Sequence, residues 1–399
     1  LWAEKYNFMK VLIISRYFFS TRIAALSRIT IEIALELEQR GIEVEILTDN
    51  ETTETNKPIA EKFKVHSLQS SNFIQTYKSI IAFCNNHNYD NVIFLTSIVG
   101  LFTFNLATKF RYPDNFSLLI FTQKPRFKDF SHIKPKEFFT YFKRIFLRNY
   151  VFGFFIPSFA LPSMLGNAKQ VFFPSQNLWQ EYNKFANNLC YLPLGTNNRY
   201  EIKQNQDDII NGIVSKIIYW KKQGKKILIH SGLATPFRGA QYITQLLNQL
   251  NRDDYKLYLF LYTDKDENIE QINQLKSLSN PNIELIDTPI IDIENIFKVC
   301  DVALYYYRYI GDIPECPLTL NELQNSGVIV CSNSNIGGIN DMIPQDIPRL
   351  TGNTKTDVSI LDDILTNVVR YKNILKRYNL EQANKWANTV NILLEKLKH

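Results

Sequence analysis

Short apolar runs, many of them β-branched, recur along this chain, and helical patterns lie between them. That alternation constrains the fold more than any other feature. KVLIIS at 10–15 reads as a strand buried on both faces, where no polar side is needed. From about 24 to 40, Ile29, Ile33 and Leu37 share one helical face, and Gly41 stands where a C-cap belongs. GIEVEILT at 41–48 is the next strand. NVIFLT (91–96), FSLLIFT (116–122) and QVFFPS (170–175) follow, and YLPLG (191–195) closes the first half. The rhythm then restarts with KKILIHSG (225–232) and a helix near 241–250. LYLFLY (257–262), IELID (283–287), VALYYY (302–307) and VIVCS (328–332) continue it. Strand–helix alternation means parallel sheets with right-handed crossovers. Two such series mean two doubly wound α/β domains, and 399 residues exceed one ordinary core. The polar stretch 197–211 reads as the linker. The expected domains are 9–196 and 212–375, with a C-terminal helix in 376–399 returning to the first.

Hydrophobic content of 45% and charged content of 21% describe a soluble globular protein. The five cysteines are scattered and no Cys-x-x-Cys occurs, so neither a disulfide framework nor a zinc site is indicated. Reduced, cytosolic thiols are expected. The first residues do not lead into a signal-length apolar core. Met9 is a candidate start, with 1–8 an upstream extension. Residues 1–195 carry 22 Lys and Arg against 15 Asp and Glu, a net of +7, whereas 196–399 carry 23 against 24, a net of −1. A basic first half suits a membrane surface, phosphates or nucleic acid, and is equally what uneven composition produces.

Open α/β sheets bind ligands beyond the carboxyl ends of their strands. SGLATPFRGA at 231–240 occupies such a place, between a strand and a helix. Its small-residue turn, Gly232, Arg238 and the helix start form a candidate phosphate cradle, or an ordinary loop with an exposed Arg. A second such place is PECPLTLNELQNSGVIVCSNSNIGGINDMI at 314–343. Glu322 is read near the start of a helix there. It can accept both hydroxyls of a ribose, or simply complement the helix dipole. Glu315 lies in the preceding loop and is expected to face a cleft between the domains. Gly337 and Gly338 offer bare backbone N–H groups, although Gly-Gly alone is only a turn.

Together these segments resemble the group 1, family 4-like retaining glycosyltransferases, whose GT-B fold has two Rossmann-like domains facing a central cleft. The similarity runs from Lys10 onward. AALSRITIEIALELEQRGIEVEIL is similar to the family's first loop, helix and strand. AKQVFFPSQ and YLPLGTNN resemble its strand-Ser element and Pro-x-Gly junction, and SGLATPFRG its diphosphate loop. CDVALYYY, PECPLTLNELQNSGVIVCSN and GGINDMI resemble its donor-binding block, the most specific part. The resemblance implies a nucleotide-sugar donor on the second domain, an acceptor on the first, and no cofactor or metal. It implies that Arg238 stabilises the leaving diphosphate, where the family has Lys. Glu322 would hold the ribose, Glu315 the sugar hydroxyls, and Gly337-Gly338 the sugar or phosphate. Ala24, Ala25, Gln123 and Lys124 fall in the acceptor-side loops. The chain departs from the pattern at four places. Ala24-Ala25 stands for Gly-Gly, and Leu233 for Arg. Glu315 is one step out of register from the family's first glutamate. Gln123-Lys124 lies where a His is frequent, with His132 nearby.

One segment stands apart. Residues 124–150 hold eight Lys and Arg, two acidic residues and many aromatics. At ~100° per residue Phe138, Phe139, Tyr141, Phe142, Ile145 and Phe146 share a side, opposite Lys136, Lys143, Arg144 and Arg148. Residues 149–168 carry no charge, and Gly153, Pro157 and Pro162 oppose a spanning helix. The segment suits shallow insertion into an anionic membrane surface, or a helix packed on the first domain with a solvated basic face. No RNA-binding motif accompanies the charge, so no nucleic-acid partner is expected. The reading is a retaining sugar transferase, cytoplasmic or peripheral on the inner membrane face, acting on a lipid-linked or other glycan acceptor. The alternative is a catalytically weakened GT-B subunit that binds a glycan or supports an active partner.

Overall fold

The computed structural model describes residues 9–16, 18, 25–49, 61–68, 72–109, 111–122, 124, 155–195, 207–234, 238–262, 269–277, 280–288, 290, 293–308, 316–382 and 385–398. The chain forms two compact units. One comprises Leu1–Tyr200, Ile310–Cys316 and Asn384–His399, and the other Glu201–Tyr309 and Pro317–Ala383.

The first unit is built on a seven-stranded parallel sheet of β1 (Lys10–Ser15), β2 (Glu43–Thr48), β3 (Lys64–Ser67), β4 (Asn91–Thr96), β5 (Phe116–Ile120), β6 (Val171–Phe173) and β7 (Leu189–Tyr191), in the order β3-β2-β1-β4-β5-β6-β7. All five residues of β5 and all six of β4 are buried, as strands covered on both faces must be. β3 was not legible as a strand. KVHS is an edge strand with only partial burial, so it lacks the apolar run that marks the others. Helix Ala25–Glu38 ends at Gly41, whose φ of +77° is the left-handed cap conformation. Ser97 and Ser175 each cap a helix, their Oγ atoms accepting from Gly100 N at 2.9 Å and Leu178 N at 3.0 Å. The Ser of the strand-Ser element therefore has a local structural role.

Helix Trp386–Leu397 packs in this unit against Ala25–Glu38. Arg40 donates to Asn391 Oδ1 at 2.6 Å and to Ala387 O at 2.8 Å, and Lys169 Nζ to Leu397 O at 2.6 Å. Trp386 is buried against Gly195, where a Cβ would lie 2.5 Å from the indole. That close approach explains the glycine of YLPLG.

Glu45 is a buried charge of this unit. It accepts from Lys10 at 2.7 Å, Lys64 at 2.7 Å, His66 at 2.6 Å and Tyr89 at 2.6 Å. Burial alone would raise its pKa, but these donors hold it well below the usual carboxylate range.

The second unit has a five-stranded parallel sheet of β8 (Lys226–Leu233), β9 (Tyr255–Tyr262), β10 (Ile283–Ile286), β11 (Val302–Tyr305) and β12 (Ile329–Ser332), in the order β10-β9-β8-β11-β12. The winding reverses between β8 and β11, which makes their carboxyl ends the topological switch point. Helix Asp207–Lys222 precedes β8, so the polar stretch read as linker contains its first residues. Helix Val368–Gln382 runs past position 375 within this unit. The five cysteines are free, and no helix among the described residues is long and apolar enough to cross a membrane.

Candidate nucleotide site

The site is assembled at the carboxyl ends of β8 and β11. β8 ends in Ser231-Gly232-Leu233, after a core of Ile227, Leu228 and Ile229. Gly232 has φ +152°, and a Cβ on it would lie 3.5 Å from Arg238 Cδ and 3.6 Å from Nη1. Arg238 thus folds back over the Gly232 backbone. It forms no ion pair with a carboxylate among the described residues, leaving a full positive charge beside bare backbone. Gly239 follows at φ +79°, and a Cβ there would come 2.1 Å from Tyr306 O. Only glycine fits, and it opens helix Ala240–Gln249.

Tyr305 ends β11 and is fully buried. Its hydroxyl shares a 2.8 Å hydrogen bond with Ser231 Oγ. Burial raises its pKa to about 12, Ser231 and Arg238 oppose the rise, and Glu322 adds to it. Arg238 and Glu322 therefore act on one phenol from opposite signs. Glu322 is half-buried, the fifth residue of helix Leu318–Asn325. It was expected near the helix start, but the helix is only eight residues long and ends before Gly327 at φ +80°. Glu322 thus lies past the first turn.

Gly337 and Gly338 open helix Gly337–Met342, which follows β12 on the same carboxyl edge. Glu315, Ala24 and Gln123 lie outside the described residues. Ala25 is the first residue of its helix. Lys124 belongs to the first unit. Its backbone N–H donates to Tyr182 Oη at 2.9 Å, its Nζ donates to Ile156 O, and burial lowers its pKa. The membrane-binding candidate 125–154 is also outside the described residues. Of its apolar continuation, Phe155 and Phe159 are 70% and 84% exposed, while Leu161, Met164 and Leu165 are buried.

Residue reading missed His230, Ser231, Tyr305 and Asn333. His230 Nδ1 donates to Leu304 O at 2.8 Å. Asn333 accepts from Tyr307 N at 3.0 Å and donates to Tyr307 O at 2.6 Å. The available signal was a polar His-Ser pair closing an otherwise apolar strand, and three consecutive tyrosines closing another.

No protein-family description matches the chain's sequence, and no curated protein sequence matches it. Solved structures do match its fold. A glycosyltransferase from Rickettsia africae is 16% identical with a TM-score of 0.66, over 98% of both chains. Anabaena HepE, solved with UDP and glucose, is 14% identical with a TM-score of 0.66, over 98% of this chain and 99% of its own. WaaG, a glycosyltransferase of lipopolysaccharide biosynthesis, is 13% identical with a TM-score of 0.63, over 98% and 99%. The fold is that of the GT-B glycosyltransferases.

Proposed function

We propose that the protein is a retaining glycosyltransferase that moves a sugar from a nucleotide-sugar to a lipid-linked or other glycan acceptor. The observation that carries this reading is Arg238 folded over the Gly232 backbone at the switch point of the second sheet, where Ser231 and Tyr305 are hydrogen-bonded. Breaking a sugar–diphosphate bond passes through an oxocarbenium-like state while negative charge grows on the leaving group. Arg238 supplies the balancing charge, with no carboxylate among the described residues to neutralise it. Glu322 accepts the ribose hydroxyls. Glu315 meets the sugar hydroxyls, and Gly337-Gly338 lie at the sugar or phosphate. The HepE structure with UDP and glucose supports a donor of this class in the same fold. The acceptor belongs on the first unit, beside Ala24, Ala25, Gln123 and Lys124. Exposed Phe155 and Phe159 support a peripheral position on the cytoplasmic membrane face through 124–168.

A second reading is favoured by Leu233, half-buried at the end of β8 where the resembling family has Arg. With one of two cations missing, the chain would bind donor or glycan and support an active partner. Incubation with UDP-, GDP- and ADP-sugars separates the readings. Donor hydrolysis together with protection from thermal unfolding supports the enzyme, and protection alone the weakened subunit. Neither effect with any donor would remove the nucleotide-sugar reading.

A further inference from the structure

The ladder between β8 and β11 is cut short. Only Val302↔Leu228 and Ala303↔Ile229 pair, whereas β8 pairs with β9 through to Leu233↔Tyr262 and β11 with β12 through to Tyr305↔Ser332. The strands part at the next step, where His230 stands. Its imidazole bridges the gap by donating from Nδ1 to Leu304 O at 2.8 Å, in place of the backbone bond the ladder would supply. The ring sits 5.0 Å from that of Tyr305. His230 is fully buried, and its Nε2 has no hydrogen-bond partner among the described residues. An aliphatic residue like its neighbours Leu228 and Ile229 would leave Leu304 O without this donor, so the imidazole satisfies the carbonyl where the ladder stops.

The segment held by this bond is the one the candidate site rests on. Tyr305 is tied to Ser231, Tyr306 O packs against Gly239, and Tyr307 is gripped on the other flank by the Asn333 amide. We propose that His230 is a positioning residue for the nucleotide site: its imidazole parts β8 from β11 and fixes 304–307, against which Gly239, the neighbour of Arg238, packs. This rests on the reading of the site as diphosphate-binding. The ring is neutral, since burial pushes its pKa down to about 4, with Arg238 adding to the effect. It therefore serves as a fixed donor and adds no cation of its own.

The test compares His230→Leu, His230→Asn and His230→Gln in the full chain. Asn places an amide N–H near the Nδ1 position, Gln near Nε2, and Leu none. Hydrogen exchange of the amides at 304–307 needs no nucleotide. It should accelerate about tenfold in the Leu and Gln variants, the scale of one lost hydrogen bond, and little in the Asn variant. UDP affinity, with GDP and ADP as alternative probes, should fall about tenfold in the same two variants, while affinity for the nucleoside stays within about twofold. Should His230→Leu fail to fold, Asn against Gln decides. Equal exchange in Asn and Gln variants, or equal losses for nucleoside and diphosphate, would overturn the proposal. If the parent binds none of the three diphosphates, the nucleotide reading falls, and the exchange result still decides what His230 holds.

Discussion

Glu45 shows how one side chain ties pH to stability. Its carboxylate is buried and takes four donors, so its pKa is depressed in the folded chain. A depressed carboxylate stabilises above its unfolded value of about 4.3 and loses that contribution as pH falls toward the folded value. Glu45→Gln takes the counter-charge from Lys64 and leaves Lys10 to the more distant Glu43, at 3.3 Å. It should cost about 3 kcal/mol at pH 7 in urea unfolding. The gap to the parent should narrow by about 1–2 kcal/mol at pH 3, and a gap unchanged with pH would refute the assignment. Residues of this kind divide sharply in legibility. Arg238 and Glu322 stood out because each sits in a short stretch beyond a strand. His230 did not, because a histidine inside an apolar run reads as core, and its partner, Leu304 O, is 74 residues away.

At the scale of elements, glycines locate where backbone and site geometry meet. Gly41 and Gly239 have nearly equal φ, +77° and +79°, but nothing lies within 4 Å of a Cβ on Gly41 whereas Tyr306 O would be 2.1 Å from one on Gly239. Gly41→Ala should cost about 1 kcal/mol, the strain of left-handed backbone. Gly239→Ala should cost about 2–4 kcal/mol, because Tyr306 must move as well. Denaturant titration of both variants measures the difference, and equal losses would mean that the loop is free to yield. The long strands were readable to within two residues, since full burial on both faces demands an unbroken apolar run. β3 was not, because KVHS is a half-exposed edge. QVFFPS overstated its strand, because β6 is only three residues and Ser175 already caps the next helix, and YLPLG shares only Tyr191 with β7.

The whole molecule carries the two claims that no single residue settles, a membrane surface and a nucleotide donor. If 124–168 binds an anionic surface, the protein should co-sediment with phosphatidylserine-containing vesicles and less with neutral ones, at roughly 1 kcal/mol per basic residue near the surface. Salt should weaken the binding. Lys143, Arg144 and Arg148 changed together to Glu should release the protein without lowering its Tm. Protein left in the supernatant with anionic vesicles at low salt would favour a soluble acceptor. The two-domain α/β fold was legible because its strand–helix rhythm is global. The site was legible only in part, because its chemistry depends on contacts across β8 and β11 that spacing does not reveal. The most direct measurement of the central claim is calorimetric binding of a nucleoside and its diphosphate, across uridine, guanosine and adenosine, to the parent, Glu322→Ala and Arg238→Ala. The account predicts that Glu322→Ala weakens both ligands by about 1–3 kcal/mol, the usual value of charged hydrogen bonds. Arg238→Ala should weaken only the diphosphate, and Arg238→Lys should restore part of that loss. Binding that neither substitution changes, or no binding by the parent, would contradict it.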